Sequence, residues 1–146
     1  MINIIMNAVD AMPNGGLLRI ETETHIVGSG GGDELESPIS PRRRDDPQET
    51  NYSHLRNPNP FSIFFTKFAK GDRLVKVRVA DTGIGIKKED LEKIFDPFFT
   101  TKDPDKGTGL GLSISLRIIE SFGGEMKVKS QEGEGTVFEI YFPAVQ

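Results

Sequence analysis

Two stretches of this chain alternate apolar and polar residues with a period of two, and that pattern limits the fold to one built on a sheet with an apolar face. "LLRIETETHI" places Leu18, Ile20, Thr22 and Ile26 on one side, and "LVKVRVA" does the same with Val75, Val77 and Val79, as half-buried strands do. "EMKVKS" and "TVFEIYF" flank "QEGEG" and read as a closing hairpin. Such a sheet needs a second layer, and the sequence supplies helices. "INIIMNAVDAM" puts Ile2, Ile5, Met6, Val9 and Met12 at helical intervals before "PNGG" ends the run. "KKEDLEKIF" predicts a short helix, and a longer one runs from about Leu110 to Phe122, stopped by Gly123 and Gly124. The order helix, strand, strand, helix, helix, strand, strand predicts an α+β chain, a two-layer sandwich with helices on one face of a mixed, mostly antiparallel sheet.

With 146 residues and 36% hydrophobic content, the chain suits a single domain, 1–146, with its own core. Residues 27–71, rich in Gly, Ser, Pro and mixed charge, separate two strands that a tight turn could join, and read as a flexible insertion. Within it "FSIFFTKF" fits either a helix or a strand, and suits either a flap packed on the domain or a partner-docking patch. The net charge is -4 and "PRRRDD" offsets its own arginines, so nucleic acid is not an expected partner. Cysteine is absent, which excludes disulfides, thiolate metal sites and thiol catalysis. No apolar run is long enough to cross a bilayer and no signal-peptide order is present. The expectation is a fragment without membrane contact and a cytoplasmic location, whether or not the full-length protein is membrane-attached.

Three places carry candidate chemistry. In "DKGTGLGLSIS", Gly107, Gly109 and Gly111 alternate and run straight into a helix. The stretch is neither a dinucleotide GxGxxG nor a P-loop, and suits a plain turn or an anion cradle at a helix start. In "DTGIGI", Asp81 ends a strand and Gly83 and Gly85 follow it. A carboxylate there either starts an Asx turn or accepts a hydrogen bond from the exocyclic amine of a flat ring sliding past the glycines. Asn3 and Asn7, four apart, project from one helix face. Their amide oxygens suit a hard cation such as Mg²⁺, or bonds to backbone and solvent.

In order and spacing, "NIIMNAVDAM", "DTGIGI", "IFDPFFTTK", "GTGLGLSIS" and "GEGTVFEIYFP" resemble the catalytic ATP-binding domain of sensor histidine kinases, of nitrogen-regulator type. That family shares the Bergerat fold with gyrase B, the heat-shock chaperone and mismatch-repair ATPases. The resemblance covers nearly everything outside the insertion and implies ATP and Mg²⁺ as ligands. It implies that Asp81 binds the adenine amine, with Thr136 helping through water, and that Gly83 and Gly85 border the ring beside Ile86. Asn7 would face the metal and the phosphates, with Asn3 behind it. Gly107, Gly109 and Gly111 would form the hinge of a lid whose N–H groups and helix start receive the phosphates, with Thr108, Leu110 and Leu112 also in the nucleotide-binding set. Phe95, Phe98 and Phe99 would anchor the lid, while Thr100, Thr101 and Lys102 would lie near the phosphate chain and Lys106 would be a lesser candidate. Asn7 and Lys102 would be the catalytic pair. The implied activity is donation of the γ-phosphate to a histidine on a separate dimerisation domain, with a response regulator downstream. A non-catalytic regulatory module and an ATPase of the same superfamily are the alternatives.

The sequence also departs from that pattern. Many relatives carry a basic residue three positions after the second asparagine, where this chain has Asp10, counted here with the nucleotide-binding set. Charge balance then falls to Lys102, Lys106, Arg117 or the metal. The chain begins at the first motif, so it reads as N-terminally truncated and unable to autophosphorylate alone. His54, in "SHLRNP", lacks the acidic neighbour of a phosphoacceptor and lies in the insertion, while His25 reads as a strand residue.

Overall fold

The computed structural model describes residues 1–27, 68–69, 71–103 and 107–144. His54, Lys106 and all of "FSIFFTKF" except Phe68 lie outside them. Helix α1 (Ile2–Asp10) leads into β1 (Leu18–Ile26), then β2 (Arg73–Asp81), helix α2 (Gly111–Ser121), β3 (Glu125–Gln131) and β4 (Gly135–Pro143). The strands form one sheet in the order β1-β2-β4-β3, and every pairing is antiparallel. The hairpin expected around "QEGEG" forms, with Gly135 opposite Gln131.

Period-two alternation then decides the layers. Val77 and Val79 of β2, Phe138 and Ile140 of β4, and Met126 and Val128 of β3 share the face that packs against Ile4 of α1 and Ile119 of α2. The opposite face carries charge. Lys76 Nζ lies 3.3 Å from Glu23 and 3.2 Å from Glu139, and its ammonium sits over the Tyr141 ring. Burial raises the Tyr141 phenol far above its ordinary value, and the neighbouring Glu139 carboxylate raises it further.

Helix α2 ends as the two glycines predict. Gly123 donates to the Glu120 carbonyl and Gly124 to Ile119, both at 2.9 Å, which is the Schellman arrangement. Gly124 also lets the helix end meet β4, since a Cβ there would stand 2.7 Å from the Tyr141 carbonyl oxygen.

Three expectations are corrected. "KKEDLEKIF" forms a chain of turns, with bonds such as Leu91 to Lys87 and Ile94 to Asp90 alternating with shorter ones. Burial of Leu91 and Ile94 in the core holds it in place of a helical ladder. In α1 the buried residues are Ile4 and Ala8, while Ile2, Met6 and Val9 are exposed, because the face turned to the core is the one that carries Ile4. Strand β1 lies at the sheet edge beyond the helices, so Ile20 is 49% and Ile26 61% exposed despite their alternation.

Candidate nucleotide site

Asp81, Thr136 and Ser130 lie side by side on β2, β4 and β3, in the register Asp81↔Thr136 and Ser130↔Thr136. They form a polar row where the apolar helix-facing side of the sheet ends. Asp81 is only 3% exposed, and its Oδ1 accepts a 2.8 Å bond from the Gly83 N–H. Burial raises its pKa above the ordinary aspartate value, partly offset by main-chain bonds from Gly83 and Thr136. A buried carboxylate whose named donors are main-chain N–H groups keeps acceptor capacity for a further donor. Thr136 Oγ1 and Ser130 Oγ are 2.9 Å apart, and Ser130 Oγ also accepts from the Ile86 N–H at 2.8 Å. The Asx-turn and ring-binding readings of Asp81 are therefore compatible: one oxygen starts the turn, and the carboxylate stays in the polar row.

The loop after β2 is held on two sides. Ile84 N–H donates to the Ala11 carbonyl at 3.0 Å, and Gly133 N–H donates to the Ile84 carbonyl at 2.7 Å. Gly83 fits tightly against α1, since a Cβ there would stand 2.6 Å from the Ala11 Cβ and 2.8 Å from Asp81 Oδ1. Gly85 adopts φ +70°, and a Cβ would meet the Gln131 carbonyl oxygen at 2.0 Å. Backbone packing against the hairpin thus demands glycine at 85 before any ligand is considered.

One stripe of α1 faces the second half of the chain. Asn3, Asn7 and Asp10 recur at helical spacing on one side of α1. Asn3 Nδ2 donates to the Gly111 carbonyl at 3.2 Å and so ties α1 to the start of α2. Lys102 Nζ reaches across to donate to Asn7 Oδ1 at 3.2 Å and Asp10 Oδ2 at 2.6 Å. The Ala11 end of the same stripe touches the Asp81 loop. From Asn3 to Ala11 it spans about 12 Å at ~1.5 Å per residue, linking the buried carboxylate to the start of α2.

The glycine stretch and the aromatic segment before it are joined directly. Phe98 N–H donates to the Gly109 carbonyl at 2.9 Å, and Gly109, at φ +66°, has no room for a Cβ, which would lie 2.3 Å from the Phe98 carbonyl carbon. Phe95 and Phe99 pack on the core. Phe98 does not: it takes φ +71°, and its ring is 74% exposed. The backbone turn that reaches Gly109 points the ring outward.

Around this join, the Lys102 N–H bonds to Thr100 Oγ1 at 3.1 Å, and the Leu110 N–H to Thr108 Oγ1 at 3.4 Å. Thr101 is exposed and Gly107 half-buried. Leu112 packs against the core. Among the described residues no side chain caps the start of α2, so its first N–H groups keep the capacity to bind an anion. Arg117 is exposed farther along α2.

The donor set around Lys102 suits a cation. Asn7 and Asp10 already converge through oxygen atoms on an ammonium, and an amide oxygen such as that of Asn7 also suits Mg²⁺. Two polar residues escaped the sequence patterns. Ser130 organises the polar row, and Thr82 Oγ1 accepts from the Leu17 N–H at 2.9 Å, bracing the strand end beside Asp81. Only the position of Thr82 inside "DTG" gave a signal for either.

Comparison with known proteins gives the family. Residues 54–146 match the family model described as histidine kinase-, DNA gyrase B-, and HSP90-like ATPase. The chain is 37% identical over 142 residues to Sensor kinase CckA of Brucella abortus (strain 2308), covering 97% of this chain and 12% of that protein. It is 44% identical over 89 residues to Sporulation kinase E of Bacillus subtilis (strain 168), covering 61% of this chain and 12% of that one. It is 51% identical over 74 residues to Sensor histidine kinase ZraS of Salmonella typhimurium (strain LT2), covering 51% and 15%. The chain thus spans 12% to 15% of the length of these relatives. Among solved structures, the nucleotide-free catalytic domain of histidine kinase ThkA superposes with a TM-score of 0.55 at 30% identity, covering 97% of this chain and 62% of that one.

Proposed function

The chain belongs to the histidine kinase-, DNA gyrase B- and HSP90-like ATPase family, and on that premise we propose that it is the ATP-binding catalytic domain of a sensor histidine kinase. The observation that carries the reading is the buried Asp81 carboxylate at the end of a central strand, joined by the α1 stripe to an uncapped helix start. Asp81 accepts the adenine amine, with Thr136 beside it. Asn7 would hold Mg²⁺, which would supply charge neutralisation for the phosphates. Lys102 and the N–H groups at the start of α2 add positive charge along the phosphate tail. Gly83 and Gly85 border the purine end only by keeping the loop close to α1 and the hairpin.

Phosphoryl transfer needs positioning and charge neutralisation more than a general base. In the full-length protein the acceptor is a histidine on a separate dimerisation domain. Its ring nitrogen forms the P–N bond as the bond to the β-phosphate oxygen breaks, and a response regulator lies downstream. Asn3 speaks against the ATPase alternative: it occupies the turn where a hydrolytic base would be wanted, and its amide donates to Gly111.

Calorimetric titration with ATP, GTP and adenosine, with and without Mg²⁺, tests the pocket. Adenine preference and a loss of at least about tenfold in Asp81→Asn are expected; equal affinity for GTP, or an unaffected variant, overturns it. Labelled phosphate should then pass from ATP to a separately supplied dimerisation domain. Binding without transfer would leave the regulatory alternative.

A further inference from the structure

Asp10 is out of place as an anion beside a triphosphate. It is the last residue of α1, where the helix dipole already disfavours negative charge. Its carboxylate is held by the Lys102 ammonium at 2.6 Å, and the same ammonium touches Asn7 Oδ1 at 3.2 Å. The two side chains are 34% and 46% exposed, and a pair so open to water binds weakly. A polyphosphate offers the ammonium stronger charge-assisted bonds than a single carboxylate.

We propose that Asp10 is a positioning residue that holds Lys102 against α1 in the nucleotide-free protein and competes with the phosphates for it. The inference rests on the nucleotide reading above. Asp10 then acts on the nucleotide through Lys102, and its charge sets a ceiling on the phosphate-dependent part of the affinity. Ninety-two positions separate the two residues, so the competition arises only once the loop crosses to the helix.

The test is titration of the full 146-residue chain with ATP and with adenosine, in Mg²⁺ and in EDTA, for wild type, Asp10→Asn, Lys102→Met and the double variant. Asp10→Asn should bind ATP about two- to fivefold more tightly, matching release of a half-exposed ion pair, and adenosine unchanged. In the Lys102→Met background the gain should shrink. Nucleotide-free unfolding of the same four proteins should show a non-zero Asp10–Lys102 coupling. ATP affinity that is unchanged or weaker in Asp10→Asn overturns the proposal. An equal gain for adenosine does so too, as does a gain that persists undiminished without Lys102. If wild type binds neither ligand, the nucleotide reading itself falls, and this inference with it; the unfolding cycle still reports the ion pair separately.

Discussion

Replacing Gly85 with alanine separates a packing requirement from a ligand requirement. Gly85 sits at φ +70°, and an added Cβ would lie 2.0 Å from the Gln131 carbonyl oxygen and 2.7 Å from its carbon. Forcing a Cβ into the left-handed region costs about 1–2 kcal/mol, and overpacking against backbone that must shift costs a further ~1–3 kcal/mol. The sum, about 2–5 kcal/mol, is a large share of a typical domain stability of about 5–15 kcal/mol. Urea unfolding followed by circular dichroism should show a lower midpoint at an unchanged slope. ATP affinity, corrected to the folded fraction, should fall less than about tenfold. A variant within about 1 kcal/mol of wild type refutes the packing argument. Affinity lost while stability is kept would instead assign this glycine to the ligand.

Other consequences are open to direct measurement. Because burial raises the Asp81 pKa, ATP affinity should fall on acidification with a midpoint above the ordinary aspartate value of about 3.9; a midpoint at or below it counts against the buried carboxylate as purine acceptor. The same shift makes ionised Asp81 a burden on folding. Its contribution to stability is fully present below the unfolded pKa and is lost as pH rises through the higher folded one. Relative to Asp81→Asn, wild type should therefore gain stability as pH falls through that window, and identical pH slopes for the two would contradict this. Leu91→Ala should cost about 2–5 kcal/mol in chemical denaturation, since Leu91 is buried in the core although its segment is not a helix; a cost under about 1 kcal/mol would place it outside. Asn3→Ala should lose about 0.5–1.5 kcal/mol of stability with the Gly111 bond, whereas Asn7→Ala should chiefly remove the Mg²⁺-dependent gain in ATP affinity. Swapped effects in the two variants would reverse these assignments.

The sequence carried most of the architecture, because period-two alternation and helix stops are local. Val77 and Val79 enter the core as their spacing requires, and Gly123 and Gly124 end α2. Local pattern failed where tertiary context decides. Ile20 and Ile26 alternate like buried residues, but their strand lies at the sheet edge. "KKEDLEKIF" has helical spacing, yet a chain of turns is enough to bring Leu91, Ile94 and Phe95 to the core. The positions of the candidate site were legible as motifs. Its connections were not, since the bonds from Lys102 to Asp10 and from Asn3 to Gly111 join residues far apart in the chain. Phe98 shows the same limit: the resemblance implied an anchor, but the backbone conformation leaves this residue exposed.

The ladder that sets Asp81 opposite Thr136 and Ser130 has a consequence for variants of every kind. Slipping β4 by one position would turn Thr136 to the charged face and drive Glu139 toward the core. A molecule out of register would lose the row of Asp81, Thr136 and Ser130 and its hydrophobic interior together. Destabilised variants should therefore lower the number of competent binders in a sample, leaving each survivor with native affinity.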